Sequence, residues 1–213
     1  MRFVKLGIAL LAMALLVGCI DIYEHISKES NGNINIYVKA GMSKAMVQMA
    51  ESASSDSGSG PSNWMDGIDQ SMLSDEVKTV LNGKATAIDT ESEKGLSIQL
   101  SFRPGSAAVH AAIRNAENAF IPDIQQDKMT FDFSTSGSSE SDQNPVSSEM
   151  LDAFKYRLTI SKTVFATISK VVVTTPEIDY KPQVVSLPDM FFIEIPLSQL
   201  LNSSGSCQMI VYK

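Results

Sequence analysis

The sequence predicts an α+β fold: a mainly antiparallel β-sheet built from hairpins, with three or four helices packed on it. Three observations support this prediction. Apolar and polar residues alternate in several short segments that are separated by Gly, Asn or Pro. Apolar residues recur at helical spacing in a few segments between those hairpins. Strand segments outnumber helical ones, and 213 residues are enough to bury a substantial core.

Two hairpins give the clearest β signals. Residues 20–26 and 34–38 alternate between apolar and polar side chains, and the intervening KESNGN supplies Gly and Asn for a turn. Residues 86–90 and 96–102 repeat the pattern across ESEKG, and Pro-Gly follows the second strand. Such alternation is typical of antiparallel strands with one face on the core and one in water. We expect residues 129–133 to form a further strand.

Helices are predicted between these strands. Ser43, Ser74 and Ser106 stand at N-cap positions, and acidic residues follow Ser74 in the first turn. Gly83 follows the segment that Ser74 caps and suits a helix end. The predicted helical segments are SKAMVQMAESAS, a short stretch around Met65 and Met72, DEVKTVLN, and AAVHAAIRNAENAF.

The pattern in residues 150–172 fits two structures. Residues 154–160 alternate as a strand would, whereas the spacing of the apolar residues also fits a helix. The density of Thr, Val and Ile favours strands. Residues 190–195 and 207–212 are predicted as closing strands.

The amino-terminal stretch has the organisation of a secretory signal. Arg2 and Lys5 are followed by an apolar run over residues 6–17, which has the length of a signal h-region. The run is shorter than the about 20 apolar residues that span a bilayer. The sequence LVGC over residues 16–19 closes it and resembles the lipobox of bacterial lipoproteins.

The resemblance implies a lipid anchor. In that family the cysteine thiol receives a diacylglycerol and the preceding residues are removed, which makes residues 1–18 a cleaved signal peptide. Acyl chains such as palmitate on Cys19 would then bind the lipid bilayer stably. We expect the protein in the bacterial cell envelope. Ile20 favours the outer membrane in a host with two membranes, because Asp at that position would retain a lipoprotein in the inner membrane; Asp21 weakens this preference.

Composition divides the remaining chain into three parts. Residues 19–134 are predicted to form an α+β domain. Residues 135–148 are dominated by Ser, Gly, Asp and Asn, so we expect a flexible loop or linker there. Residues 149–213 form a β-rich C-terminal part. The start of the body, CIDIYEHISKESNGNINIYV followed by SKAMVQMAE, is similar to LppM-type lipoproteins. That resemblance implies an antiparallel sheet with helices and an association with lipid binding.

Charge and cysteine content exclude some classes of function. The net charge is −7 without a basic stripe, which argues against nucleic-acid binding. If Cys19 is acylated, the second cysteine, Cys207, has no disulfide partner. We interpret Cys207 as a small apolar residue in a terminal strand rather than a reactive thiol.

The motif content does not predict an enzyme. His110 lies on the polar side of its predicted helix near Arg114 and Glu117, where a weak surface ion pair is expected. His25 shares a strand face with Tyr23, without the spacing of a metal site. The sequence has no nucleophile elbow, phosphate-binding loop or dinucleotide fingerprint. No catalytic residue, cofactor or metal is therefore predicted.

Methionines are the remaining candidate binding residues. Several flank a Ser/Gly-rich loop, and methionine adapts to irregular apolar ligands. The alternative is that they pack helices onto the sheet. The candidate apolar ligand site consists of Met42, Met46, Met49, Met65 and Met72.

These observations favour a structural or interaction lipoprotein that binds another envelope protein. The alternative is a carrier or sensor of a lipidic ligand, which would use the methionines. An envelope hydrolase is a third hypothesis, since carboxylate-based hydrolases exist without a readable motif.

Overall fold

The computed structural model describes residues 20–45, 48, 73–115, 120–133, 152, 154–176, 179–201 and 207–213. Within these ranges the chain forms twelve strands and three short helices. The strands are β1 Ile20–Lys28, β2 Ile34–Ser43, β3 Lys84–Asp89, β4 Glu93–Phe102, β5 Asp123–Ile124, β6 Lys128–Asp132, β7 Lys155–Ser161, β8 Lys170–Thr174, β9 Asp179–Tyr180, β10 Val184–Ser186, β11 Met190–Pro196 and β12 Gln208–Tyr212. The helices are α1 Asp75–Val80, α2 Ala107–Asn115 and α3 Ser198–Leu201.

Seven strands form the larger sheet, in the order β10-β11-β7-β1-β2-β4-β3. Strand β1 is central, and Ile26 lies opposite Ile36 of β2 and Ile160 of β7. Every neighbouring pair is antiparallel except β1 and β7, which run parallel. Parallel pairing needs a long crossover connection, and more than a hundred residues separate these two strands in the chain.

Five strands form the second sheet, in the order β5-β6-β12-β8-β9, and all its pairs are antiparallel. The prediction of a mainly antiparallel β architecture with helices is confirmed in this coarser form. The strands are divided between two sheets, and the helices are short. Strands of the C-terminal part lie in both sheets, since β7 and β11 belong to the first and β8 and β12 to the second.

One hydrophobic core joins the two sheets. The ring of Tyr156 in β7 lies edge-on to the ring of Phe133, which directly follows β6, with centroids 5.8 Å apart. Phe120 lies 6.1 Å from both rings. Leu158 is completely buried, and full burial of such a side chain contributes roughly 1.5–3 kcal/mol. The aromatic cluster therefore ties β7 of the larger sheet to the end of β6 in the second.

Helix α1 begins where the sequence predicts and ends at Val80, two residues before the predicted end. Ser74 is the N-cap, and its side chain accepts a hydrogen bond from the Val77 amide at 3.3 Å. The Gly83 amide donates to the Val77 carbonyl at 3.0 Å. A Cβ at Gly83 would lie 2.9 Å from that carbonyl oxygen, so close approach of the backbone requires glycine here.

The other two helices differ in how well the sequence predicts them. Helix α2 begins after Ser106, whose hydroxyl accepts from the Val109 amide at 3.1 Å, as predicted. It is described to Asn115. Helix α3 falls in a segment predicted as a connection between strands. The short helix forms because its turn buries Leu200 in the core, next to Leu197.

The ambiguous segment 150–172 is resolved in favour of strands, since β7 and β8 lie in it or begin there. Both predicted closing strands are present as β11 and β12, in different sheets. Strand β2 runs to Ser43, which the sequence predicts as a helix cap. Apart from Lys44, Ala45 and Gln48, the predicted helices before residue 73 lie outside the described residues, as does the predicted loop 135–148.

Candidate functional site

Strand β1 places a carboxyl group inside the core. The alternation of the strand points Ile22, Glu24 and Ile26 to the same face, and Glu24 lies between Val38 of β2 and Leu158 of β7. The Glu24 side chain is 0% exposed. An ionised carboxylate there would lose its hydration without a compensating positive charge, because no cationic side chain among the described residues forms an ion pair with Glu24.

Tyr156 is the hydrogen-bond partner of this carboxyl group. Its hydroxyl donates to Glu24 Oε2 at 2.7 Å, and no donor in the described ranges reaches Oε1. Burial raises the pKa of Glu24 to about 8, and the hydrogen bond from Tyr156 lowers it only in part. The pKa of Tyr156 is raised well above its usual value. Burial is the larger cause, and the neighbouring Glu24 carboxyl is the second. Glu24 is therefore mostly protonated at neutral pH, and its pair with Tyr156 carries no charge.

Glu24 is not among the residues predicted as functional from the sequence. A signal is present, because Glu24 occupies an apolar position in the alternation of the first hairpin. Its partner gives no such signal, since Tyr156 is an ordinary residue for a core strand position and lies 132 residues away in the chain.

A second polar cluster lies on the opposite face of the same strands. Thr159 of β7 is buried, at 5% exposure, and its hydroxyl lies 3.2 Å from the Glu24 backbone carbonyl. The Tyr23 hydroxyl lies 3.1 Å and His25 Nδ1 2.8 Å from the same Thr159 oxygen. One arrangement that satisfies all three contacts has Thr159 donating to the carbonyl, with Tyr23 and His25 donating to the Thr159 oxygen.

In that arrangement Nδ1 of His25 carries the proton and Nε2 is an acceptor. Burial lowers the pKa of His25, which favours the neutral ring. The Thr159 hydroxyl thus joins Tyr23, His25 and the Glu24 backbone on the outer face of the sheet.

A shallow concavity of about 240 Å³ lies beside this cluster on the outer face. Lys84 is its one cationic residue, and it is exposed. The lining residues are His25, Ser27, Asn35, Ile36, Tyr37, Asn82, Lys84, Gln99, Leu100 and Ser101.

The larger concavity, about 460 Å³, lies where β1 ends and β2 begins, and we call it the distal cleft. Residues from both sheets and from α2 contribute to it. Its volume is within the range of small-molecule sites. The lining residues are Lys28, Ile34, Pro104, Gly105, His110, Ile124, Gln125, Gln126, Val164, Phe165 and Lys213.

An ordered polar group forms part of the wall of the distal cleft. His110 Nδ1 lies 3.0 Å from Asp123 Oδ1, and the Gln125 side-chain amide donates to Asp123 Oδ2 at 2.9 Å. His110 is half-buried, and the polar side of α2 faces β5 here. Among the described residues the polar partner of His110 is Asp123 of β5. Glu117, near which the sequence predicts a weak ion pair, lies outside the described residues.

The predicted site residues are described only in part. Met42 lies at the end of β2, 9% exposed and opposite Ile20 and Lys94. Cys207 is buried directly before β12, with its sulfur 3.7 Å from the Gln199 carbonyl, which agrees with an apolar packing role. The residues that lie outside the described ranges are Cys19, Met46, Met49, Met65 and Met72.

No helix within the described ranges is long and apolar enough to cross a membrane. Among the same residues, no group of three or more His, Cys, Asp or Glu side chains is arranged to hold a metal ion.

The fold thus brings Glu24 together with Tyr156, and His110 together with Asp123. It also forms the distal cleft, which has the size of a ligand site. No model of a known protein family matches the sequence, and no curated protein matches it either.

Proposed function

We propose that this chain is a lipoprotein of the bacterial cell envelope, anchored through an acylated Cys19, whose folded body acts as a non-enzymatic binding protein. The observation that carries the proposal is the order of three features: basic residues, an apolar run over residues 6–17, and LVGC over residues 16–19. Strand β1 begins at the next residue, Ile20. The anchor would therefore adjoin the folded body without a linker.

The position of the distal cleft fits this arrangement. Lys28 is the last residue of β1 and lines the cleft, eight residues beyond Ile20. At about 3.3 Å per residue, Lys28 at the cleft lies roughly 26 Å along the strand from Ile20 at the anchored end. A ligand or partner at the cleft would thus bind at the end of β1 that is farther from the anchor.

The chemistry of the polar clusters supports binding over catalysis. His25 Nδ1 lies 2.8 Å from the Thr159 hydroxyl, which also contacts the Glu24 backbone carbonyl at 3.2 Å. His110 is held by Asp123 at the wall of the cleft, where the lining residues include no Ser, Thr or Cys that would serve as a nucleophile. Side chains that are held in place and satisfied in this way suit recognition.

The anchor is tested by metabolic labelling with an alkyne analogue of palmitate in a bacterial host. We expect label in the wild-type chain and none in Cys19→Ser, together with loss of Cys19→Ser from the membrane fraction. Cys207→Ser is the matched control, because it removes the only other thiol. It should keep both the label and the membrane association.

Label that persists in Cys19→Ser, or a native mass that still includes residues 1–18, would contradict the anchor. Crosslinking in cells followed by purification from detergent-solubilised membranes tests the binding role, and a specific envelope protein is the expected product. Native mass spectrometry of the same preparation distinguishes the alternative, since a bound lipid would favour a carrier.

A further inference from the structure

We propose that the distal cleft binds an organic oxyanion, that is, a carboxylate or phosphate ester joined to an apolar group. This ligand class depends on the proposed function in one respect, that the body is a binding protein, and it does not depend on the lipid anchor.

The charge of the cleft is opposite to that of the whole chain. The protein carries a net charge of −7, whereas Lys28 and Lys213 line the cleft and no Asp or Glu side chain is part of its lining. Neither lysine ammonium has a carboxylate partner in the described part of the chain. The two ammonium groups outweigh the one α-carboxylate of Lys213, whose oxygen accepts from the Ser169 hydroxyl at 2.9 Å, and the remaining positive charge beside the concavity attracts an anion.

Polar groups of the wall add hydrogen-bonding capacity. Asp123 adjoins the lining residue Ile124 and is occupied on both oxygens, by His110 Nδ1 and by the Gln125 amide. It therefore competes less for the lysines than an unpartnered carboxylate would. The side-chain amide of Gln126 remains to donate to a ligand, because it makes no hydrogen bond within the described ranges. An oxyanion accepts from cations and amides alike.

Apolar residues form the remaining lining and define the second half of the ligand. Ile34 and Phe165 are buried and contribute to the floor, and Ile124 and Val164 are half-buried beside them. A bare inorganic ion would leave this surface in contact with water. An apolar group attached to the oxyanion would cover it and gain about 25 cal/mol for each Å² of apolar surface removed from water.

The other concavity carries fewer of these features. It has about half the volume of the distal cleft, and Lys84 is its single cation. Its lining is mostly hydroxyl and amide groups on a flat sheet face. The two concavities therefore provide an internal control, because a lysine can be removed from either one with the same change in net charge.

The experiment measures binding of phenyl phosphate to the full chain purified in detergent, by isothermal titration calorimetry at low ionic strength. Phenylacetate tests a carboxylate in place of the phosphate, and phenol is the neutral control. We expect saturable binding of at least one of the two anions, weaker binding of phenol, and affinity that falls as salt is added. Lys28→Gln and Lys213→Gln should each weaken binding on the order of tenfold, as expected for the loss of a charge-assisted hydrogen bond.

Lys84→Gln is the matched control and should bind like the wild type. The three lysines are exposed, so these substitutions should leave the circular dichroism spectrum unchanged. Absence of saturable binding of both anions overturns the proposal, and so does phenol binding as tightly as the anions. An equal loss of affinity in Lys84→Gln also overturns it, because it would indicate a general charge effect. If the protein binds an oxyanion but fails the Cys19 labelling test, only the lipid anchor is contradicted, and the ligand class of the cleft stands.

Discussion

The two faces of strand β1 carry polar clusters of opposite character. On the inner face, Glu24 is fully buried, makes one hydrogen bond to Tyr156 and has one oxygen without a donor in the described part of the chain. On the outer face, Tyr23, His25 and Thr159 share hydrogen bonds beside solvent. Neighbouring positions of one strand therefore place a carboxyl group where its charge is suppressed and an imidazole where it still contacts water. Burial raises the pKa of the Glu24 carboxyl and lowers that of the His25 imidazole, so on both faces it favours the neutral side chain.

The largest expected effect is a loss of stability with rising pH that originates at Glu24. Its pKa is about 4.5 when unfolded and about 8 when folded, so the unfolded state binds fewer protons between these values. The free energy of unfolding should therefore fall as pH rises through this window, by about 1.4 kcal/mol per pH unit and on the order of 5 kcal/mol in total. Urea denaturation at intervals from pH 4.5 to 8.5 measures the slope.

Glu24→Gln is the matched control, because glutamine keeps the shape and does not titrate. The difference between the wild-type and Glu24→Gln curves isolates Glu24 from His25, whose lowered pKa acts with the opposite sign and removes stability as pH falls below about 6.5. Glu29 and Asp89 have lowered pKa values, from hydrogen bonds to Asn35 and Lys44 respectively, and affect stability only below this window. Equal slopes for the two proteins would show that Glu24 is not the titrating group.

The second prediction concerns the partner on the inner face. Tyr156→Phe removes the only donor to Glu24 that the described residues supply, while the ring contacts to Phe120 and Phe133 are kept. We expect a loss of about 1–3 kcal/mol, the cost of leaving a buried polar group unsatisfied. The pKa of Glu24 should rise further, because the hydrogen bond from Tyr156 lowers it. Denaturation curves at several pH values measure both effects. If stability stops falling at the same pH as in the wild type, the hydrogen bond between Tyr156 and Glu24 is contradicted.

The smallest effect is expected on the outer face. Thr159→Val keeps the branched shape of the side chain and removes the hydroxyl that joins Tyr23, His25 and the Glu24 carbonyl. The loss should be about 1 kcal/mol, because Tyr23 and His25 are partly exposed and can donate to water instead. Thermal unfolding at pH 7 measures it. A loss larger than that of Tyr156→Phe would reverse the contrast between the two faces.

Features with a local cause are predictable from the sequence. Each hairpin follows from alternation and turn residues within about 20 positions, and the caps at Ser74 and Ser106 depend on amides three residues away. Helix α3 and the short strands β5, β9 and β10 are not predicted, because two to four residues give too short a period to recognise.

Features with a distant cause are not predictable in this way. Nothing near β1 indicates that β7 will lie parallel to it, and this pairing creates both the Glu24–Tyr156 pair and the Thr159 cluster. The distal cleft combines residues from Lys28 to Lys213, so no motif at fixed spacing describes it. Of the candidate sites, the sequence supplies the apolar position of Glu24 and the polar position of His110, but not their partners.

The central position of β1 also determines how the body resists mechanical force. This strand is hydrogen-bonded to β2 on one side and to β7 on the other, over most of its nine residues. Tension applied to its first residue acts along the strand, so it loads both ladders in shear and must break many hydrogen bonds together. An edge strand pulled across its ladder would separate one bond at a time. A chain anchored at the residue before Ile20 should therefore withstand a high pulling force before its sheet unfolds.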